Sequence, residues 1–183
     1  MQYHQTIGEY KLLKKIGKGS FGQVYEARDK LGRKIACKVM LRDQKPESVK
    51  REIQVQGRIK HPHIVELLNT IETDEATYLF MELCDLDLKT YIECYGVKGK
   101  RLNEQEASRV IRHVLNGLRH LQDKCKVMHR DIKLENILVN FKPGGEVEFK
   151  IADLGQAKVN ISRNLLKHTI CGTPLYMAPE VYF

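Results

Sequence analysis

The stretch His129-Arg130-Asp131-Ile132-Lys133-Leu134-Glu135-Asn136 decides how this chain is read, and Asp153-Leu154-Gly155 and then Ala178-Pro179-Glu180 follow it. Just upstream lies the clearest helix signal, Glu104 to Lys124. There Ala107, Val110, Ile111, Val114, Leu115, Leu118 and Leu121 fall on one stripe, and Asn103 with Glu106 has the form of a capping box. Just downstream, Ile137–Val139 and Val147–Ile151 flank Lys142-Pro143-Gly144-Gly145, which is turn chemistry, so a β-hairpin is expected. The polar octet therefore sits between a long helix and a hairpin.

Further upstream the pattern changes to strands. Tyr10 to Arg28 is interrupted by Gly17-Lys18-Gly19-Ser20-Phe21-Gly22, Lys30-Leu31-Gly32-Arg33 reads as a turn, and Ile35 to Met40 is an apolar run rich in strand formers. Pro46 to Lys60 reads as one amphipathic helix through Val49, Ile53 and Ile59, stopped by His61-Pro62. Strands are expected at Val65–Thr70 and Thr77–Glu82, and polar Cys84 to Asp87 marks a boundary. The expected plan is an N-terminal tail over 1–9, a sheet-rich half over 10–81, a junction over 82–87 and a mainly helical half over 88–183.

Composition agrees with a folded protein: 183 residues, 42% apolar and 30% charged. No stretch approaches the roughly 18 to 20 apolar residues of a membrane span, and Met1 to Tyr10 is too polar for a secretory signal. Five cysteines stand singly, without metal or redox spacing, and read as reduced thiols of a cytoplasmic or nuclear protein. The net charge of +8 is spread along the chain without a dense basic run, which favours a solvated surface over a nucleic-acid site.

Gly17-x-Gly19-x-x-Gly22 is weak evidence when taken alone. A dinucleotide loop must run into a helix, whereas here an alternating segment and a turn follow; the Gly-Lys-Ser/Thr of a phosphate loop is absent. A hairpin flap whose backbone N–H groups approach phosphate oxygens remains. Lys38, in Ala36-Cys37-Lys38, is placed to neutralise phosphate beneath such a flap, and Glu52 is the candidate to fix its flexible stem.

Taken in order, glycine flap, strand lysine, His129 to Asn136, Asp153-Leu154-Gly155 and Ala178-Pro179-Glu180 resemble the eukaryotic protein kinase family along the whole chain. The resemblance implies an α+β, two-lobed fold and transfer of the γ-phosphate of ATP, with Mg2+, to a protein hydroxyl. In such chemistry positioning and electrostatics do most of the catalysis. By that resemblance Asp131 accepts or orients the substrate hydroxyl proton and Lys133 sits over the transferring phosphate, while Asn136 and Asp153 hold Mg2+. His129 is structural, and Arg130 receives a phosphorylated activation loop.

The nucleotide pocket follows by the same carry-over. The flap runs from Gly17 through Lys18, Gly19, Ser20, Phe21, Gly22 and Gln23, with Lys38 and Glu52 below it. Ile16, Val24, Ala36 and Leu138 enclose the base, Met81 is the gatekeeper, Glu82 to Cys84 supply hinge backbone groups, and Asp87 reaches the ribose. Lys133 with Gly172-Thr173-Pro174-Leu175-Tyr176-Met177 resembles the serine/threonine branch, with flavours of its calcium/calmodulin-kinase, Aurora and Unc-51-like groups. Thr173 then positions the catalytic loop and substrate, and Thr169 matches an activation phosphosite.

Two departures temper the match. Leu154 replaces the usual phenylalanine, and Gln56 stands where the family places an apolar spine residue, which suggests an activating partner beside an upstream kinase. The chain is expected to be C-terminally truncated relative to the family, and so to expose apolar surface, to be poorly stable and to have little activity on its own. A rival reading is therefore a nucleotide-binding pseudokinase or scaffold with little activity of its own.

Overall fold

The computed structural model describes residues 5–19, 22–41, 53–97, 101–159 and 172–179. They form two compact units. The first holds the described residues up to Arg58 together with Glu66–Leu83; the second holds Ile59–Val65 and the chain from Cys84 onward.

In the first unit six antiparallel strands run in the order β1-β2-β3-β4-β6-β5: β1 (Gln5–Ile7), β2 (Tyr10–Gly19), β3 (Gly22–Arg28), β4 (Lys34–Leu41), β5 (Leu67–Glu72) and β6 (Ala76–Glu82). Register sets the two faces, because side chains alternate along a strand. Tyr25 pairs with Cys37 and Cys37 with Phe80, which puts all three on one face. There they join Leu12, Ala27, Ile35 and Tyr78 in the core, where Tyr10 stacks on Phe80 with ring centroids 3.8 Å apart. Residues 5–7 were expected in the tail, yet they form β1 and bury Ile7, because Gln5 to Ile7 pair with Leu12 to Tyr10.

A helical stretch, α1, covers 53–56 among the described residues and ends in a turn at 57–58, before the expected end at Lys60; positions 46–52 of the expected helix lie outside the described residues. Gly57 lowers helix stability there, and the chain turns into the second unit. Strand β5 also begins two residues later than expected. Ile64 forms a parallel bridge to Ile151, and the Val65 N–H donates to the Ile151 carbonyl at 2.9 Å, so both apolar residues serve the second unit.

The second unit contains β7 (Leu86–Asp87), α2 (Leu88–Tyr95), α3 (Glu104–Asp123), β8 (Val127–Met128), β9 (Ile137–Phe141), β10 (Val147–Ile151) and β11 (Lys158–Val159). The hairpin is present as β9 paired with β10, and β7 adds an unexpected third strand against β9. The capping box of α3 is present: the Glu106 N–H donates to Asn103 Oδ1 at 2.9 Å and the Asn103 N–H to Glu106 Oε2 at 3.3 Å. The single stripe expected on α3 divides in two. Val110 is buried toward β9 and β10 and Leu121 is fully buried, while Ile111 and Leu115, on an adjoining face of the helix, are more than half exposed.

Candidate active site

In the first unit, register gathers the candidate nucleotide residues on the face opposite the core. Val24 pairs with Lys38, Lys38 with Leu79 and Ala36 with Met81, so Val24, Ala36, Lys38 and Met81 share that face. Lys38 is only 3% exposed. A buried ammonium requires anionic or hydrogen-bonding neighbours, which fits a residue meant for phosphate. The glycine motif is a hairpin as expected: Gly17 pairs with Val24, Lys18 with Gln23 and Gly19 with Gly22.

Gly22 has a further reason to be glycine. A Cβ there would run into the carbonyl oxygen of Val39, so the close approach of β3 to β4 demands the bare backbone. Ile16 is 45% exposed at the start of the motif, beside a register shift in β2. The Glu82 carboxylate accepts from the Glu66 N–H at 2.8 Å, and the Glu82 N–H donates to the Glu66 carbonyl at 3.1 Å.

In the second unit, Cys84 is half-buried and Leu138 is partly exposed on β9. Asp87 is the N-cap of α2: its Oδ1 accepts from the Thr90 N–H at 2.9 Å and its Oδ2 from the Thr90 hydroxyl at 3.0 Å. Sequence reading assigns Asp87 to ribose and misses this cap, although Asp followed three residues later by Thr at a helix start is the available signal. Ser20, Phe21, Glu52 and Thr169 lie outside the described residues.

The octet around Asp131 is irregular chain held by side chains. Asp131 is 6% exposed. Its Oδ1 accepts from the Thr173 hydroxyl at 2.7 Å, and its Oδ2 accepts from Asn136 Nδ2 at 3.0 Å and from Lys133 Nζ at 3.0 Å. Lys133 also donates to Thr173 Oγ1 at 3.1 Å, closing a ring of three side chains. Burial alone would raise the Asp131 pKa; the Thr173 hydroxyl, the Lys133 ammonium and then the Asn136 amide outweigh it and hold the carboxyl below its ordinary 3.8. It is therefore ionised at neutral pH.

The backbone is fixed by equally specific contacts. Buried His129 accepts the Asp131 N–H on Nδ1 at 3.2 Å and reaches the Ala152 carbonyl through Nε2 at 2.9 Å. A carbonyl only accepts, so the proton is on Nε2; burial keeps this imidazole below its usual pKa and neutral. Arg130 has φ 68° and donates from Nε to the Gln156 carbonyl at 2.8 Å.

Gly172, to which sequence reading gives no role, has φ 116°, and a Cβ there would lie 2.7 Å from the Arg130 carbonyl oxygen. Only glycine lets the chain pass this close before placing Thr173 on Asp131.

Asn136 and Asp153 are joined through the backbone, the Ala152 N–H donating to the Asn136 carbonyl at 2.9 Å. Asn136 uses its amide nitrogen on the Asp131 carbonyl and carboxylate. Its remaining side-chain atom is an oxygen acceptor. Asp153 sits at φ 61° and caps the turn over Leu154–Gln156, where Leu154 is buried. An amide oxygen and a carboxylate are hard donors that suit Mg2+, an ion that completes its shell with water and phosphate oxygens.

A sheet unit presenting a buried lysine, followed by a loop in which lysine, asparagine and threonine orient one aspartate, is the constellation of a phosphotransferase. The protein kinase domain family matches residues 10–182, and the chain belongs to that family. Its fold is accordingly the α+β, two-lobed kinase fold, and kinases of this family use ATP and Mg2+.

The chain is 34% identical to serine/threonine-protein kinase ATG1c of Arabidopsis thaliana, over 97% of this chain and 24% of that protein. It is 36% identical to the hormonally up-regulated neu tumor-associated kinase of Homo sapiens, over 98% of this chain and 26% of that one. With serine/threonine protein kinase OSK3 of Oryza sativa subsp. japonica the identity is 37%, over 98% of this chain and 35% of the relative. The chain thus spans about a quarter to a third of the length of these curated relatives. Among the described residues no helix is long and apolar enough to cross a membrane.

Proposed function

We propose that this chain is the nucleotide-binding and catalytic-loop portion of a serine/threonine protein kinase. It transfers the γ-phosphoryl group of ATP to Ser or Thr hydroxyls of protein substrates in a cytoplasmic or nuclear setting. The observation that carries the reading is the Asp131 carboxylate, buried and fixed by Thr173, Lys133 and Asn136. A carboxylate offers about four acceptor sites, and these three donors leave one for a substrate hydroxyl.

In the reaction that hydroxyl oxygen bonds to the γ-phosphorus, the bond from phosphorus to the ADP oxygen breaks, and the hydroxyl proton passes to Asp131. A carboxylate with a depressed pKa is a weak base, so Asp131 chiefly orients the hydroxyl and takes the proton as phosphorylation makes it acidic. Lys133 balances charge on the moving group, and Lys38 matches the family's phosphate-neutralising lysine by resemblance. Mg2+, held by Asn136 and Asp153, neutralises phosphate charge when bound.

By resemblance to the family, the flap from Gly17 to Gln23 matches its phosphate-covering segment, Glu52 its partner for the strand lysine, and Ile16, Val24, Ala36, Met81, Glu82, Cys84, Asp87 and Leu138 its nucleoside positions. In domain terms, 10–81 together with β1 is the N-lobe, 82–87 the hinge, and 88–183 belongs to the C-lobe. The kinase names of the relatives do not favour the pseudokinase reading.

The test is a thermal-shift titration with Mg-ATP followed by radiolabel transfer to Ser/Thr and Tyr peptides. Stabilisation together with transfer to Ser/Thr peptides supports the kinase; stabilisation without transfer to any peptide supports the scaffold. Regulation follows from Arg130, whose remaining guanidinium N–H groups suit a phosphate on Thr169 placed by an upstream kinase or an activating partner. Thr169→Ala is expected to lower activity several-fold in protein isolated from cells, and equal activity would remove that switch.

A further inference from the structure

Four imidazoles form a row within the second unit. His61 lies 4.8 Å from His120 and 5.6 Å from His63 between ring centroids, and His63 stacks on His113 at 4.0 Å with planes 20° apart. Two come from the segment 59–65 and two from one face of α3, where positions seven apart lie on the same side.

The segment is pressed closely onto its neighbours. The Ile151 N–H donates to the His63 carbonyl at 2.9 Å, and the Val65 N–H donates to the Ile151 carbonyl at 2.9 Å. A Cβ on Gly117 of α3 would stand 2.9 Å from the same His63 carbonyl oxygen.

The ring nitrogens are committed to partners that dictate protonation. His61 Nδ1 accepts the His63 N–H at 3.1 Å, and His113 Nδ1 accepts the Phe149 N–H at 3.2 Å. His63 Nδ1 lies 3.2 Å from the Phe149 carbonyl, which only accepts, so there the nitrogen is the donor. A proton added to Nδ1 of His61 or His113 would oppose an N–H to an N–H and place a cation against another imidazole. Because the nitrogens point to separate backbone groups, the row does not converge on one ion. Among the described residues no group of three or more His, Cys, Asp or Glu is placed to hold a metal.

We propose that the row of His61, His63, His113 and His120 forms an acid-sensitive clasp, which holds the segment 59–65 on α3 and β10 while His61 and His113 are neutral and releases it when those two are protonated. Most of the surrounding charges act in the same direction, and the exception is Glu148 of β10, which faces both His113 and His63. His61 is faced by His120 of α3, by His63 of its own segment and by Lys150 of β10; burial first, and then these groups, hold its pKa below the ordinary 6.5. His113 is faced by His63, by Arg112 and Arg109 of α3, and by Glu148 of β10. Burial and then His63 and Arg112 outweigh Glu148 and lower it as well. Glu148 is itself engaged, its Oε2 lying 2.9 Å from Lys142 Nζ and 3.6 Å from Lys150 Nζ.

The sign follows from linkage. With folded values below 6.5 the unfolded chain binds more protons, so the clasp is at full strength above 6.5 and weakens as pH falls from there through the folded values.

The test is amide hydrogen exchange on the full-length protein at about pH 7.5 and about pH 5.5, corrected for intrinsic chemistry. Protection at Val65 and Ile151 is expected to fall severalfold in acid as His61 and His113 take up protons. The double variant His61→Asn with His113→Asn keeps an acceptor oxygen near each Nδ1 without a titratable ring, and should hold its protection at both pH values. Wild-type protection unchanged in acid, or a double variant with the same acid loss, overturns the clasp. Should the double variant not fold, imidazole titration of the wild type by NMR decides. Coincident midpoints for imidazole protonation and loss of protection support the clasp, and separate midpoints overturn it. Exchange is read without catalysis, so the outcome does not depend on the kinase reading.

Discussion

In the six-stranded sheet, the described residues with positive φ are glycines, Gly8 and Gly32, whereas in the second unit Lys126, Arg130 and Asp153 adopt that conformation with side chains present. The sheet is held by repeated backbone pairs, from Gln23 opposite Val39 to Leu41 opposite Ala76. The loop at Asp131 is held by a few side chains: His129, Lys133, Asn136 and Thr173. A non-glycine residue in the left-handed region costs on the order of 1–3 kcal/mol, so those contacts must over-determine the loop. Substitutions in the sheet should therefore register as stability, whereas substitutions in the loop should register as rate.

The largest expected effect is at the loop. Asp131→Asn should lower kcat by roughly 10²–10⁴ while leaving Mg-ATP stabilisation in place, and an unchanged kcat would break the assignment. In the sheet, Phe80→Ala removes a fully buried ring and its stack on Tyr10. Denaturant unfolding should show a loss of about 3–5 kcal/mol, with kcat per folded molecule little changed; a comparable fall in kcat would erase the distinction between the regions.

Thr173→Val deletes the hydroxyl between Lys133 and Asp131 at nearly constant volume. A hydrogen bond to a charged group contributes about 1.5–3 kcal/mol, so kcat should fall roughly tenfold to a hundredfold, and Thr173→Ser should recover most of it. A melting shift without loss of rate would place Thr173 among the stability residues instead.

The smallest effect is expected at Cys37, whose thiol burial in the sheet core pushes up to about 12. It should resist alkylation at neutral pH while exposed Cys94 reacts, as mass spectrometry would show. Rapid labelling of Cys37 would mean that the sheet opens more readily than its ladders imply.

Much of the fold is legible in the order of residues. The glycine motif can be assigned to a hairpin because no helix pattern follows it, and the capping box of α3 is local chemistry between neighbours. The stripe of α3 is legible only as apolar content. Which of Val110 and Ile111 faces inward depends on where β10 lies, and that is not written in the helix. Residues 59–65 show the same limit: His61-Pro62 signals a break, but nothing nearby in sequence announces that Ile64 will bridge to Ile151. At the candidate site, the residue types around Asp131 are readable through family resemblance, and the Asp87 cap is readable from Thr90 three residues on, whereas Gly172 takes its meaning from Arg130, which only folding brings near.

Periodicities, turns and the order of motifs are already written in the chain, because these depend on residues a few positions apart. Tertiary structure alone decided that Thr173 donates to Asp131, that His129 ties Asp131 to Ala152, and that histidines from two distant segments share one row. Each is a directional contact between residues far apart in the chain, and its geometry exists only once the intervening chain has folded.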